Sequence, residues 1–125
     1  MLGHLKHQDL LSDGPLVIAW DHYGEDVIVV SLAGEMDASN VGSARDVIEA
    51  ETSGEPDEIL LIDLSALEFI DSAGIALLVR LAAADPEGTH LRIVPSPALA
   101  VSRIMYLTGV DAMIQIARER PARAA

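Results

Sequence analysis

Ile59-Leu60-Leu61-Ile62-Asp63-Leu64-Ser65-Ala66-Leu67-Glu68-Phe69-Ile70-Asp71-Ser72-Ala73-Gly74 is the stretch on which the fold turns. Its first four residues are continuously apolar, the pattern of a strand covered on both faces, as in a parallel sheet. Residues 69–74 then bridge to a helix over 73–85, in which Ile75, Leu78, Val79 and Ala82 recur at helical spacing. A buried strand that hands over through a short connection to an amphipathic helix is half of a β-α-β unit.

The same alternation continues on both sides. Upstream, Leu16, Ile18 and Trp20 alternate with other residues, which predicts a strand over 16–22. Tyr23-Gly24-Glu25-Asp26 reads as a turn, and the β-branched run 27–32 as a second strand paired with the first as a hairpin. Ala33-Gly34-Glu35-Met36-Asp37 leaves that strand. Ser39 or Asn40 can then cap a helix over 41–52, with Val41, Ala44, Val47 and Ile48 on one face. Downstream, Asp85-Pro86-Glu87-Gly88 ends the second helix and 90–94 forms another strand. Pro95-Ser96-Pro97 opens a third helix that stacks Val101, Ile104, Met105 and Thr108, Gly109 ends it, and 113–117 is a short last strand. Met105, Tyr106 and Leu107 read as core and helix surface rather than a partner groove. The expected architecture is a single α/β domain over 15–117, with a mixed, mostly parallel sheet of four to five strands and alternating helices. Residues 1–14 read as a flexible lead or a short added helix, and 118–125 as a polar tail.

Composition narrows the function. Apolar types make up 50% of 125 residues, enough for one sizeable core. No stretch approaches the roughly 20 continuous apolar residues of a membrane span, and residues 1–15 lack the basic-then-apolar layout of a secretion signal. The expected location is therefore the cytoplasm. With no cysteine there is no disulfide, thiol nucleophile or zinc-thiolate site. Of the 20 carboxylates, all but Asp111 and Glu119 fall within residues 9–87, where only Arg45 and Arg80 offset them; residues 88–125 carry the other five arginines. So acidic a surface repels nucleic acid and anionic lipid, and it either attracts a basic protein partner or serves only to keep the protein in solution.

The chemistry concentrates at Ser72. It falls where a helix N-cap belongs, with its hydroxyl able to accept from the open N–H groups of the first turn. The junction follows the C-terminal end of a strand, the edge of an open α/β sheet where ligands and partners gather. A helix N-terminus tolerates a phosphate, because it offers unpaired donors and partial positive charge. Asp71 adjoins Ser72, however, and Asp37 leaves another strand at the same edge, so an added phosphate of about −1.5 to −2 would gather three anionic groups. Gly74, costly inside a helix, points to a close approach there, either by a partner or within the fold.

Other constellations fail. Ile70-Asp71-Ser72-Ala73-Gly74 lacks the flanking glycines of a nucleophile elbow. His90 opens a strand and belongs at the opposite edge of the sheet, too far to serve as a base. His4 and His7 have no third ligand nearby, so no metal site is expected. There is no phosphate-cradling Gly-x-x-x-x-Gly-Lys loop and no dinucleotide fingerprint. Nothing supports an enzyme, and no cofactor is expected.

In the order of its elements and in two motifs, the chain over about 16–117 resembles the STAS domain, found in bacterial anti-sigma factor antagonists and in the tails of sulfate transporters. Leu32-Ala33-Gly34-Glu35-Met36-Asp37 is similar to the family's Gly-Glu-Leu-Asp, and Asp63-Leu64-Ser65 through Phe69-Ile70-Asp71-Ser72-Ala73-Gly74 to its Asp-Ser-Ser/Ala-Gly phosphorylation loop. The resemblance implies a STAS-like fold and phosphorylation of Ser72 by an anti-sigma factor that is also a serine kinase. The unphosphorylated antagonist binds that factor and frees the sigma factor for transcription, and a PP2C-type phosphatase resets the cycle. It implies partner contacts by Asp37, Asp71, Ala73 and Gly74. Ala73 stands where some members carry a second serine, which removes a competing acceptor. Two alternatives of another class are a STAS-type scaffold of a signalling complex and an accessory subunit of a lipid-transport ATPase; the intact Asp-Ser-Ala-Gly loop favours the antagonist. The oligomeric state is read as monomer or weak dimer.

Overall fold

The computed structural model describes residues 9–117. Seven strands form one mixed sheet, more than the four to five expected, and three helices accompany it. In chain order the elements are β1 (Leu10–Asp13), β2 (Leu16–Tyr23), β3 (Val27–Met36), α1 (Val41–Glu51), β4 (Ile59–Asp63), β5 (Leu67–Ile70), α2 (Ser72–Ala83), β6 (Leu91–Val94), α3 (Leu99–Thr108) and β7 (Gln115–Ile116). A single 3-10 turn, Val110–Ala112, joins α3 to β7. The strand order is β1-β2-β3-β4-β6-β7, with β5 also on β3. The first three strands run antiparallel through two hairpins; β4, β5, β6 and β7 join in parallel.

Both strands absent from the sequence reading are short and pair at an edge. Residues 10–13, expected to be a flexible lead, form β1 against β2, with Leu10 opposite Ala19 and Asp13 opposite Leu16. Only four residues long, with two exposed leucines, β1 lacks the inward-outward alternation that marks a half-buried strand. Residues 67–70, expected to belong to a connection, form β5.

β5 exists because of one glycine. The first half of β3 pairs with β4, from Val27 opposite Ile59 to Ser31 opposite Asp63. Its last three residues pair with β5 instead, after a register shift between Gly34 and Glu35. Gly34 sits at φ +93, where side chains are rarely tolerated, and a Cβ there would lie 2.1 Å from the Pro15 carbonyl oxygen. Freed of that atom, the strand bulges: the Gly34 N–H donates to Ala66 O at 3.1 Å and the Glu35 N–H to Pro15 O at 3.1 Å.

The core lies on one face of the sheet. Ile28, Val30, Leu32, Ile62 and Ile93 alternate along their strands and meet Ala44, Val47 and Ile48 of α1, Ile75 and Leu78 of α2, and Val101 and Met105 of α3 in one buried cluster. The intervening Val29 and Leu61, with Val94, make a smaller cluster on the opposite face. This explains the unbroken apolar run of β4: both of its faces meet apolar neighbours, although the three helices all share one. Ser96, buried before α3, donates to Leu67 O at 2.6 Å and accepts from the Ala98 N–H at 3.0 Å, tying the α3 entry to β5.

Candidate functional site

The parallel pairing of Met36 with Ile70 decides the site, because the next residues in each strand are Asp37 and Asp71. The Asp71 N–H donates to Met36 O at 3.2 Å and carries the pairing one step further. Asp71 has extended backbone and is the N-cap of α2: its Oδ1 accepts from the N–H groups of Ala73 at 2.9 Å and Gly74 at 3.2 Å. Its Oδ2 reaches across to accept from the Ala38 N–H at 3.1 Å. One carboxylate thus fastens the start of the helix to the loop that follows β3.

That loop is closed by its own side chains. Asp37 Oδ1 accepts from the Ser39 N–H at 2.9 Å and from the Ser39 hydroxyl at 2.6 Å. The Ser39 hydroxyl, then the Ser39 and Asn40 N–H groups, hold the Asp37 carboxyl below its ordinary range against a smaller opposing effect of burial. Asn40 is almost fully buried. Its Oδ1 accepts from the Asp37 N–H at 2.9 Å and its Nδ2 donates to Glu35 O at 3.0 Å. Asn40 is therefore a clamp on the loop, not the side-chain cap of α1 that its position implies, and α1 has no side-chain cap.

Ser72 is exposed, one residue further into the helix than expected. It is the first residue of α2, and Asp71 does the capping. Its hydroxyl has no hydrogen-bond partner among the described residues. The correction has a chemical consequence. The N–H groups of Ala73 and Gly74, which could have received a phosphate, are already taken by Asp71, and that of Ile75 donates to the Asp71 carbonyl at 3.0 Å. A phosphate on Ser72 would therefore stand outside the helix cradle, beside a carboxylate.

Gly74, expected among the contact residues, is buried: a Cβ there would lie 2.5 Å from Ile70 Cγ1 and 3.1 Å from Met36 Cε. The close approach it permits is that of α2 on the ends of β3 and β5. Ala73 is half-buried between Gly74 and the exposed Ser72. His90 lies at the far edge of the sheet, where its Nδ1 is 3.2 Å from Asp85 Oδ1 and its Nε2 2.8 Å from Pro56 O, so it has no access to Ser72. Among the described residues no group of three or more histidines and carboxylates could hold a metal ion, and no helix is long and apolar enough to cross a membrane.

Asn40 and Ser96 are the positioning residues that sequence reasoning missed. A polar residue between a carboxylate and a helical run looks like a cap whether it faces the helix or the loop, and the bonds to Asp37 and Glu35 show that Asn40 faces the loop.

The geometry has counterparts. The STAS domain family model matches residues 22–121. An anti-sigma factor antagonist from Mycobacterium paratuberculosis is similar in structure, with a TM-score of 0.68 and 29% identity over 87% of this chain and 92% of that one. The unphosphorylated form of the anti-sigma factor antagonist SpoIIAA shares the fold, with a TM-score of 0.64 and 20% identity over 82% of this chain and 89% of that one. With the family model spanning most of its length and both motifs set side by side by β3 and β5, the chain belongs to the STAS domain family.

Proposed function

We propose that this STAS protein is an anti-sigma factor antagonist, a binding module and kinase substrate rather than an enzyme, whose hold on an anti-sigma factor serine kinase is released by phosphorylation of Ser72. The observation that carries the reading is the Ser72 hydroxyl: exposed, unbonded, and flanked by a carboxylate whose two oxygens are both engaged. The likeness to an antagonist at 29% identity supports the same class of partner.

In the switching step the Ser72 oxygen attacks the γ-phosphorus of ATP held by the kinase. Its proton passes to a base of that kinase, ADP leaves, and a phosphoserine remains. The new group brings a charge of about −1.5 to −2 and a demand for donors. Asp71 already occupies the N–H groups of Ala73 and Gly74, so the fold has little to give beyond the N–H of Ser72 itself, and the charge faces outward next to Asp71 and Asp37. A partner docked over this edge must then bury an uncompensated dianion or withdraw. Hydrolysis by a PP2C-type phosphatase restores the hydroxyl and with it the binding surface. Freed of its inhibitor, the sigma factor directs transcription while the antagonist is unmodified.

Incubation with ATP and the cognate kinase should add one phosphate at Ser72, located by mass spectrometry. Calorimetric titration should find Ser72→Ala bound as tightly as the unmodified protein and Ser72→Asp weakened at least tenfold, or about 1.4 kcal/mol. A phosphate at another residue, or equal affinities for the two variants, overturns the reading.

A further inference from the structure

α3 is apolar on two faces, and the fold covers only one. Val101 and Met105 point into the core, while Leu99 is 65% exposed and Tyr106 and Leu107 are each 73% exposed. At 100° per residue Leu99, Arg103, Tyr106 and Leu107 share the outer face of the helix. A helix that is apolar all round is ordinarily buried all round. The outer face runs into a hollow of about 600 Å³ lined by Tyr106, Leu107, Gly109, Asp111 and Ala112. Gly109, at φ +80, ends the helix there and folds Asp111 back onto the far wall.

The charges on this face fit a copy of itself. Arg103 stands one turn before Leu107 on the outer face of the helix, and Asp111 lines the hollow beyond the helix end. Neither has an ion-pair partner among the described residues. A two-fold axis through the hollow reverses the direction of the second helix. Each Arg103 then lies over the other copy's Asp111, and each Tyr106–Leu107 pair enters the other's hollow. We propose that the outer face of α3 is the two-fold interface of a homodimer, with Tyr106 and Leu107 as its apolar centre and reciprocal Arg103–Asp111 pairs as its rim. The net charge of −12 on each copy opposes the approach at long range, and the apolar centre with its reciprocal pairs offsets that repulsion.

The centre of the interface, at the C-terminal end of α3, lies away from the Ser72 edge. The turn after α3 leads into β7, whose Gln115 pairs with Arg92 near the start of β6, whereas Ser72 lies beyond the C-terminal ends of β3 and β5. Both copies keep Ser72 accessible, and the dimer offers two switch sites on one body.

Sedimentation equilibrium of the full chain, from low micromolar to sub-millimolar concentration, should give a monomer–dimer equilibrium. Arg103→Asp and Asp111→Arg should each weaken dimerisation about tenfold, and the double variant should recover most of the loss, because the pair is restored with its signs exchanged. Leu107→Glu should be monomeric, with circular dichroism reporting an intact fold, since the side chain is exposed. A protein that stays monomeric throughout the range, or a dimer indifferent to Leu107→Glu and to both charge reversals, overturns the proposal. Neither result bears on phosphorylation, which mass spectrometry of Ser72 reads separately.

Discussion

At the scale of single residues, Asp71 and Ser72 divide the work that one serine was expected to do alone. Asp71 holds the helix start and the Asp37 loop together, so Asp71→Ala should cost about 1 to 2 kcal/mol through the lost cap. Ser72→Ala, which removes no hydrogen bond among the described residues, should stay within about 0.5 kcal/mol of the parent. Urea denaturation of both variants checks the division; equal losses would return the capping role to Ser72. Gly74 gives a test of opposite sign from its helical setting. Alanine is ordinarily better than glycine inside a helix by about 1 kcal/mol. Here its methyl would press within 2.5 Å of Ile70 Cγ1, and such overpacking costs about 1 to 3 kcal/mol. Gly74→Ala should therefore lower the denaturation midpoint, and an unchanged or raised midpoint would mean that Ile70 and Met36 can move aside.

At the scale of elements, β5 is anchored from outside. Among the described strands it pairs with the bulged end of β3 alone, and Ser96 adds a tie through Leu67 O. Ser96→Ala leaves that carbonyl buried without its donor and should cost about 1 to 3 kcal/mol in the same denaturation assay; a loss below half a unit would mean that another donor replaces it. Elements with strong periodicity were legible in the sequence. The β2–β3 hairpin, α1, β4, α2, β6 and α3 all fall within a few residues of their expected places, because each carries its own inward-facing apolar pattern. β1 and β5 were not, because four residues give no periodicity and their existence depends on partners elsewhere in the chain. The site divides in the same way. Asp37, Asp71 and Ser72 were legible as a cluster at one sheet edge from the motifs that bear them. The identity of the cap, the burial of Gly74 and the clamp at Asn40 depend on the register of β3 with β5 and on the contacts it creates, which no local pattern encodes.

At the scale of the whole molecule, the edge opposite Ser72 is held by a histidine. His90 lies between Pro56 O, from the connection after α1, and Asp85, from the end of α2. The Pro56 carbonyl, then the Asp85 carboxylate, raise the affinity of His90 for its proton. Burial works against the Asp85 carboxylate, but the N–H groups of His90, Leu91 and Thr89 outweigh it and hold its pKa below the ordinary value. The His90 contribution to stability is therefore complete below about pH 6.5 and fades as pH rises through its higher folded value. That of Asp85 is complete above about pH 3.9 and fades as pH falls through its lower folded value. Calorimetry should find the melting temperature highest between these limits and declining toward pH 8, with the alkaline decline shallower in His90→Gln. Parallel profiles for the two proteins would assign the decline to other groups.

The divided allegiance of β3 also bears on how a kinase reaches its target. Five register pairs join β3 to β4, but only three join it to β5, and they flank a bulge. Cooperative units of a protein open at free energies set by the contacts they sever. The segment that delivers the serine is thus held to β3 by fewer pairs than β4 is. Amide exchange in deuterated water should be faster at Phe69 and Ile70 than at Val29 and Val30. A catalytic cleft could then draw the acceptor in as a slackened strand while β3 and β4 stay joined.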